Sequence, residues 1–147
     1  MNPAAETEIV SERMIAAPRE AVWRAVSDRA ILSRWWGPKG FTNSFHEFDL
    51  RAGGGWRFTM SAPDGGVFEQ ARDFLEVVPP ARIVMTNDDP VHRFRMTISL
   101  DRVPSGTRVE WRMVFADPAE FARVKDFIAA ANEENFDRLA AQLAAGA

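Results

Sequence analysis

The stretch Asp117–Leu143, "DPAEFARVKDFIAAANEENFDRLAAQL", decides how the rest of the chain must be arranged. Asp117 has the short acceptor side chain of an N-cap, Pro118 stands where a missing N–H costs nothing, and Glu120 occupies the capping-box position. Phe121, Val124, Ile128, Ala131, Asn135, Leu139 and Leu143 then recur on one helical stripe, flanked by Phe127 and Phe136. The pattern predicts one helix of roughly 40 Å, long enough to cross the face of a sheet.

Immediately upstream the period changes from 3.6 to 2. In "RVEWRMVF" (108–115) Val109, Trp111, Met113 and Phe115 share one face. In "HRFRMTISL" (92–100) His92, Phe94, Met96, Ile98 and Leu100 do the same. "RIVMT" (82–86), carrying Met85, and a run from Val67 to Val78 ending at Pro79-Pro80 read as further strands. "WRFTMS" (56–61) places Trp56, Phe58 and Met60 together. "NSFHEFDL" (43–50) alternates so that His46 joins Phe48 and Leu50. Glycine-rich turns separate these runs, as in "RAGGG" and "APDGG". Each strand has one apolar and one polar face, which predicts an antiparallel sheet covered on one side only. The long helix is the cover.

The N-terminal part adds a strand over residues 7–16 and two short helices. The first opens at Pro18; the second follows Ser27 or Asp28 as N-cap and ends at Gly37-Pro38. Trp35 lies four residues after Ile31 and is expected to turn inward. Trp36, about 100° further round the axis, is expected to lie on the surface against the loop.

A twisted sheet against one helix leaves a wedge between them. The residues facing it include Met60, Met96 and Met113, with Phe58, Phe94 and Trp111. Methionine adapts to irregular volumes, so these residues suit either a tight core or a pocket for a ligand. The expected pocket wall adds Trp35, Met85, Ile128 and Asn132.

At this point five segments, in order, resemble one known family: "APREAVWRAVSD", "RWWGPKGF", "FDLRAGGGWRF", "DFLEVVPPARIVMT" and "ENFDRLAAQL". They are similar to proteins related to the activator of heat-shock protein 90 ATPase, within the START/Bet v 1-like (SRPBCC) superfamily. The resemblance spans nearly the whole chain. It implies an α+β helix-grip fold, with a curved antiparallel sheet wrapped around a long C-terminal helix and two short helices after the first strand. Residues 1–147 would form one such domain, with 1–6 disordered. The resemblance also implies an apolar cavity between sheet and helix, because superfamily members bind lipids, sterols, hormones or polyketides and a few catalyse cyclisation or hydrolysis. The family's eukaryotic chaperone activators carry a further N-terminal domain that these residues do not include, so a chaperone partner is the least favoured expectation.

Candidate acid/base groups are few. His46 and His92 would face inward by alternation, and Asp88 sits in "NDDPVH" (87–92), which is also turn chemistry. Strand-end residues often leave the core face, so either histidine can instead be wet. Asn132, one step from the inner stripe, could orient a ligand or sit on the helix flank. Asp49 and Arg51 read as an ion pair shaping a turn. Arg57, Arg93, Arg95, Arg108 and Arg112 read as a charge ladder on the outer face.

Composition narrows the partners. The net charge of -3 comes without a block of like charges, which argues against nucleic acid. There is no cysteine, hence no disulfide framework or thiolate chemistry, as suits the cytoplasm. The start lacks a signal-peptide pattern, and no apolar run is long enough to span a bilayer. No metal-ligand spacing and no cofactor motif is present, and "RAGGGW" does not open a helix as a phosphate loop would. The expected partner is a small hydrophobic molecule. An edge strand makes a homodimer an option. A cyclase- or hydrolase-type enzyme is the competing function.

Overall fold

The computed structural model describes residues 7–88 and 93–146. Strand β1 (Glu8–Ile15) is followed by helices α1 (Arg19–Ser27) and α2 (Arg29–Trp35). Six strands come next: β2 (Thr42–Phe48), β3 (Gly55–Ser61), β4 (Val67–Val78), β5 (Arg82–Asn87), β6 (Phe94–Val103) and β7 (Gly106–Phe115). Helix α3 (Pro118–Ala144) closes the described chain. The expected disorder of residues 1–6 lies outside the described residues.

The strands form one antiparallel sheet in the order β1-β7-β6-β5-β4-β3-β2. Every sequential pair from β2 to β7 is a hairpin neighbour. β1 pairs with β7, so the first and last strands meet at one edge. The registers set apolar residues side by side: Met96 faces Met85 and Met113, and Ile98 faces Trp111. Two bulges, between Phe45 and Glu47 and between Phe74 and Glu76, add local bend to the sheet. The fold is the helix-grip arrangement expected from the sequence.

α3 starts as its sequence dictates, with the Asp117 carboxylate accepting from Ala119 N and Pro118 in the first turn. It lies against β1, β7, α1 and α2. Leu139 and Phe136 on its inner face are fully buried, and Phe136 sits 4.7 Å from Trp111, centroid to centroid. α2 begins at Asp28, whose Oδ1 accepts from Ala30 N and Ile31 N. No helix among the described residues is long and apolar enough to cross a membrane.

The first bulge corrects one expectation. Strict alternation sends His46 inward with Phe48. Instead the register slips after Phe45, so Phe45 and Phe48 both face the core, each within 6 Å of Trp56, and His46 is exposed. His46 Nε2 pairs with Thr59 Oγ1 at 2.7 Å, and that hydroxyl donates to Glu69.

Trp36 corrects another. Both indoles of the double tryptophan are buried, Trp35 to 1% and Trp36 to 6% exposure. Trp36 is the C-cap of α2, with φ -64° and ψ 136°, so it no longer follows helical geometry. That extended conformation swings its ring under the helix instead of out to solvent. It lies 5.7 Å from Trp35, 5.1 Å from Trp56 and 5.2 Å from Trp111.

Candidate functional site

The exit from α2 is tied down from two directions. Asn43 Nδ2 donates to the carbonyls of Ser33 (3.1 Å) and Trp36 (2.8 Å). From α3, Asn135 Nδ2 donates to Trp35 O at 3.2 Å, and Glu134 accepts from Lys39 N at 3.0 Å. Arg138 contributes most, reaching the carbonyls of Arg34, Trp36, Gly37, Pro38 and Phe41 at 3.0–3.2 Å. Arg34 O is one of the orphan carbonyls of the helix C-terminus and Trp36 O belongs to its cap; the other three are loop carbonyls, and all five are gathered on one guanidinium. Burial lowers the Arg138 pKa from its ordinary value. Gly37, at φ 103°, completes the turn; a Cβ there would come within 2.7 Å of Met60 Cε.

This anchored loop forms one wall of a recess of about 130 Å³ between α3 and the inner face of the sheet. Trp36, Gly37 and Pro38 supply the loop side. The sheet side comes from Met60, Arg72, Phe94, Met96, Trp111 and Met113. Ala131, Asn132 and Asn135 close it from α3. A wider depression of about 480 Å³, between the β1–α1 and β6–β7 turns, is a surface channel crossed by the exposed Glu20–Arg102 ion pair. None of its lining residues is buried, so the recess is the better candidate for enclosing a small molecule.

Six of the residues expected to face a ligand come together there: Met60, Phe94, Met96, Trp111, Met113 and Asn132. Four do not line it. Trp35 is turned into the helix-helix interior, where its Nε1 donates to Ala25 O at 2.9 Å. Phe58 is stacked on Trp56 at 4.3 Å, and Met85 is buried at the centre of the sheet. Ile128 is partly buried further towards the start of α3.

Sequence reasoning missed Trp36, Arg72 and Asn135 as lining residues. The signal for Arg72 was present, since Gln70, Arg72 and Phe74 alternate onto the face that Phe74 buries. Arg72 is 9% exposed. Its guanidinium carbon lies 5.3 Å from the Phe94 ring centroid and 5.6 Å from that of Phe58, within cation–π reach. Nη2 donates to Gln70 Oε1 and Nη1 to Ala71 O, each at 3.0 Å.

Asn132 is buried and donates to Ser11 Oγ at 3.2 Å and to Met113 Sδ at 3.7 Å, joining α3 to β1 and β7. The Trp111 indole is 1% exposed, and its Nε1 has no hydrogen-bond partner among the described residues.

Neither of the two described acid/base candidates, His46 and Asp88, lines the recess. His46 is on the outer face. Asp88 is exposed, 3.5 Å from Thr86 Oγ1, in a surface depression with Arg93 and Arg95. His92 lies outside the described residues. Among the described residues there is no cluster of His, Cys, Asp and Glu able to hold a metal. Asp49 and Arg51 form the expected turn ion pair at 2.8 Å. On the outer ladder Arg57 pairs with Glu47, and Arg112 with Glu8 and Glu110.

A sequence profile of the family described as activator of Hsp90 ATPase homolog 1-like protein matches residues 16–145. No curated protein matches by sequence. Among solved structures, a protein from Nitrosomonas europaea is 25% identical, with 97% of each chain covered and a TM-score of 0.87. One from Rhodobacter sphaeroides is also 25% identical, covering 98% of this chain and 97% of that one, with a TM-score of 0.87. The AHSA1 protein of Silicibacter pomeroyi is 23% identical over 95% of this chain and 99% of its own, at a TM-score of 0.75.

Proposed function

The chain belongs to the family of activator of Hsp90 ATPase homolog 1-like proteins, and from that premise we propose that it binds a small apolar or aromatic molecule in the recess between α3 and the sheet. The observation that carries this reading is the makeup of the wall. Aromatic and methionine side chains from the loop, β3, β6 and β7 surround a space of about 130 Å³, with a few buried polar groups among them. That combination suits recognition of a mostly apolar ligand with one oriented polar end. An apolar protein cavity of about 150 Å³ takes up benzene, so the volume suits a ligand of about one ring.

An enzymatic reading has less support. Among the described residues lining the recess there is no His, Asp or Glu to serve as a general acid or base. A binding protein needs neither. The cytoplasm is the compartment this reading assigns, in keeping with a chain free of cysteine.

Native mass spectrometry of the purified protein, with analysis of its organic extract, tests the binding. The expected result is a small molecule bound one to one and lost in an Ala131→Phe variant, which fills the recess from the α3 side. Equal retention by the folded variant would place the ligand elsewhere and overturn the reading. The family's description also names a chaperone ATPase; if that were the function, the protein would change an Hsp90 ATPase rate, and Ala131→Phe would leave the effect intact.

A further inference from the structure

We propose that the ligand of this recess is a small neutral phenol, its ring held among Trp36, Trp111 and the methionines. Its hydroxyl accepts from the Trp111 indole N–H and donates to an amide oxygen of Asn132 or Asn135. The proposal rests on the binding function above and specifies the ligand's class.

The donor comes from Trp111. An indole N–H can only donate. Trp111 is 1% exposed, and its Nε1 has no hydrogen-bond partner among the described residues. A buried donor left unmet carries the cost of its lost hydration. Trp111 lines the recess, so an acceptor on a bound ligand can relieve that cost.

The acceptors follow from how two asparagines are turned. A backbone carbonyl only accepts, so the 3.2 Å bond between Asn135 and Trp35 O is made by Nδ2. Asn132 likewise turns Nδ2 to Ser11 Oγ and the Met113 thioether. Each amide keeps its Oδ1 as an acceptor, and both residues line the recess. The three groups are neighbours. Met113, bonded to Asn132, stands two residues from Trp111 on β7. The Trp35 carbonyl holds Asn135, and the Trp35 ring lies 6.4 Å from that of Trp111.

A donor beside amide acceptors selects a hydroxyl, which accepts and donates through one oxygen. A hydrocarbon would leave the indole N–H unmet. A carboxylate would satisfy it but set a negative charge against the amide oxygens. Arg72 in the wall does not favour the acid, because its guanidinium is already engaged by Gln70 Oε1, Ala71 O and the rings of Phe58 and Phe94.

Size points the same way. About 130 Å³ approaches the volume that accepts benzene. One ring with one hydroxyl fits better than a sterol or an acyl chain, and the indoles of Trp36 and Trp111, 5.2 Å apart, offer aromatic faces to it.

The test compares phenol with toluene, in which a methyl group of similar size replaces the hydroxyl, and with benzoate. Binding is followed in ¹⁵N–¹H spectra through the five indole N–H signals, with Trp111 assigned from a Trp111→Phe variant. Phenol should bind about tenfold tighter than toluene and tighter than benzoate, as one or two new hydrogen bonds would give. It should shift the Trp111 signal downfield, and toluene should not. The phenol-to-toluene ratio should fall in Asn132→Leu or in Asn135→Leu. Toluene or benzoate binding as tightly as phenol, a Trp111 signal unmoved by phenol, or a ratio unchanged in both folded variants would overturn the phenol assignment while leaving the binding function standing. If none of the three compounds binds, the recess reading fails and this proposal with it. The comparison in the unmodified protein decides the matter even if neither asparagine variant folds.

Discussion

Arg138 Nη1 donates to the carbonyl oxygen of Trp36 at 3.2 Å, across 102 positions of the chain. Through that bond and its four neighbours, the last third of α3 fixes the loop whose indole walls the recess. The helix is thus both a cover for the sheet and a clamp on the α2 exit. Arg138→Met keeps most of the side-chain volume and removes the donors. Partly buried carbonyls left without partners cost about 1–3 kcal/mol each. Urea denaturation should therefore show a loss of at least about 2 kcal/mol, and Arg138→Lys, with fewer donors, should recover only part of it.

Gly37 is required for a different reason. Its φ of 103° lies where side chains are strained, and an added Cβ would meet Met60 Cε at 2.7 Å. Gly37→Ala should cost about 1–3 kcal/mol. It should also displace Met60, which would appear in methyl spectra as a shifted Met60 Cε signal. A variant with unchanged stability would mean that the turn has an alternative geometry.

Met96 and Met113 face each other across β6 and β7 and border empty volume. A side chain beside a void has fewer contacts to lose. Met96→Ala and Met113→Ala are each expected to cost less than about 2 kcal/mol. Leu100→Ala, in the same strand but fully buried away from the recess, should fall within the 2–5 kcal/mol typical of a tight core. Equal losses at all three positions by thermal or urea unfolding would indicate that the recess is packed like the rest of the core.

The contrast between α3 and the α2 exit shows what was legible in the sequence. Every cue that builds α3 is local: an Asp-Pro start, a capping-box position and an apolar stripe with period 3.6. Local cues survive folding, and the helix begins where Pro118 says it should. Trp36 was misplaced, and strict alternation alone would misplace His46, because each sits where a regular period stops. A bulge gives no sequence signal in "NSFHEF", yet it turns His46 outward. Trp36 has the helical angle in the sequence but the backbone of a cap. Arg72 obeys its alternation, although charge alone would place an arginine on the outer face. Which face wins there depends on Phe58, Phe94 and Gln70, groups that only the fold brings together.

At acid pH the surface pairs become readable one by one. Arg102 Nη2 donates to Glu20 Oε1 at 2.6 Å and lowers the Glu20 pKa from its ordinary value. A carboxylate with a lowered folded pKa adds stability that is complete above its unfolded value, about 4.3, and fades as the pH falls through the folded one. Glu20→Gln should therefore flatten the acid limb of the stability profile below about pH 4.3. Above that value its slope against pH should match the parent's. A changed slope near neutral pH would mean that the pair does not set the Glu20 titration.

Tryptophan fluorescence separates the two indoles of the double tryptophan. Trp36 and Trp111 line the recess, whereas Trp35 is turned away with its Nε1 bonded to Ala25 O. A ring entering the recess touches the first pair and not the third. In variants retaining a single tryptophan, the others replaced by Phe, an aromatic ligand should change the emission of Trp36 and of Trp111. The Trp35 signal should stay within error. The indole N–H of Trp35 supplies an internal control, because its bond to Ala25 lies outside the recess and its exchange with solvent should be slow with or without ligand. If Trp35 responded and Trp36 did not, the occupied space would be on the α1 side of the double tryptophan. The wall built by the Arg138-anchored loop would then have no part in binding.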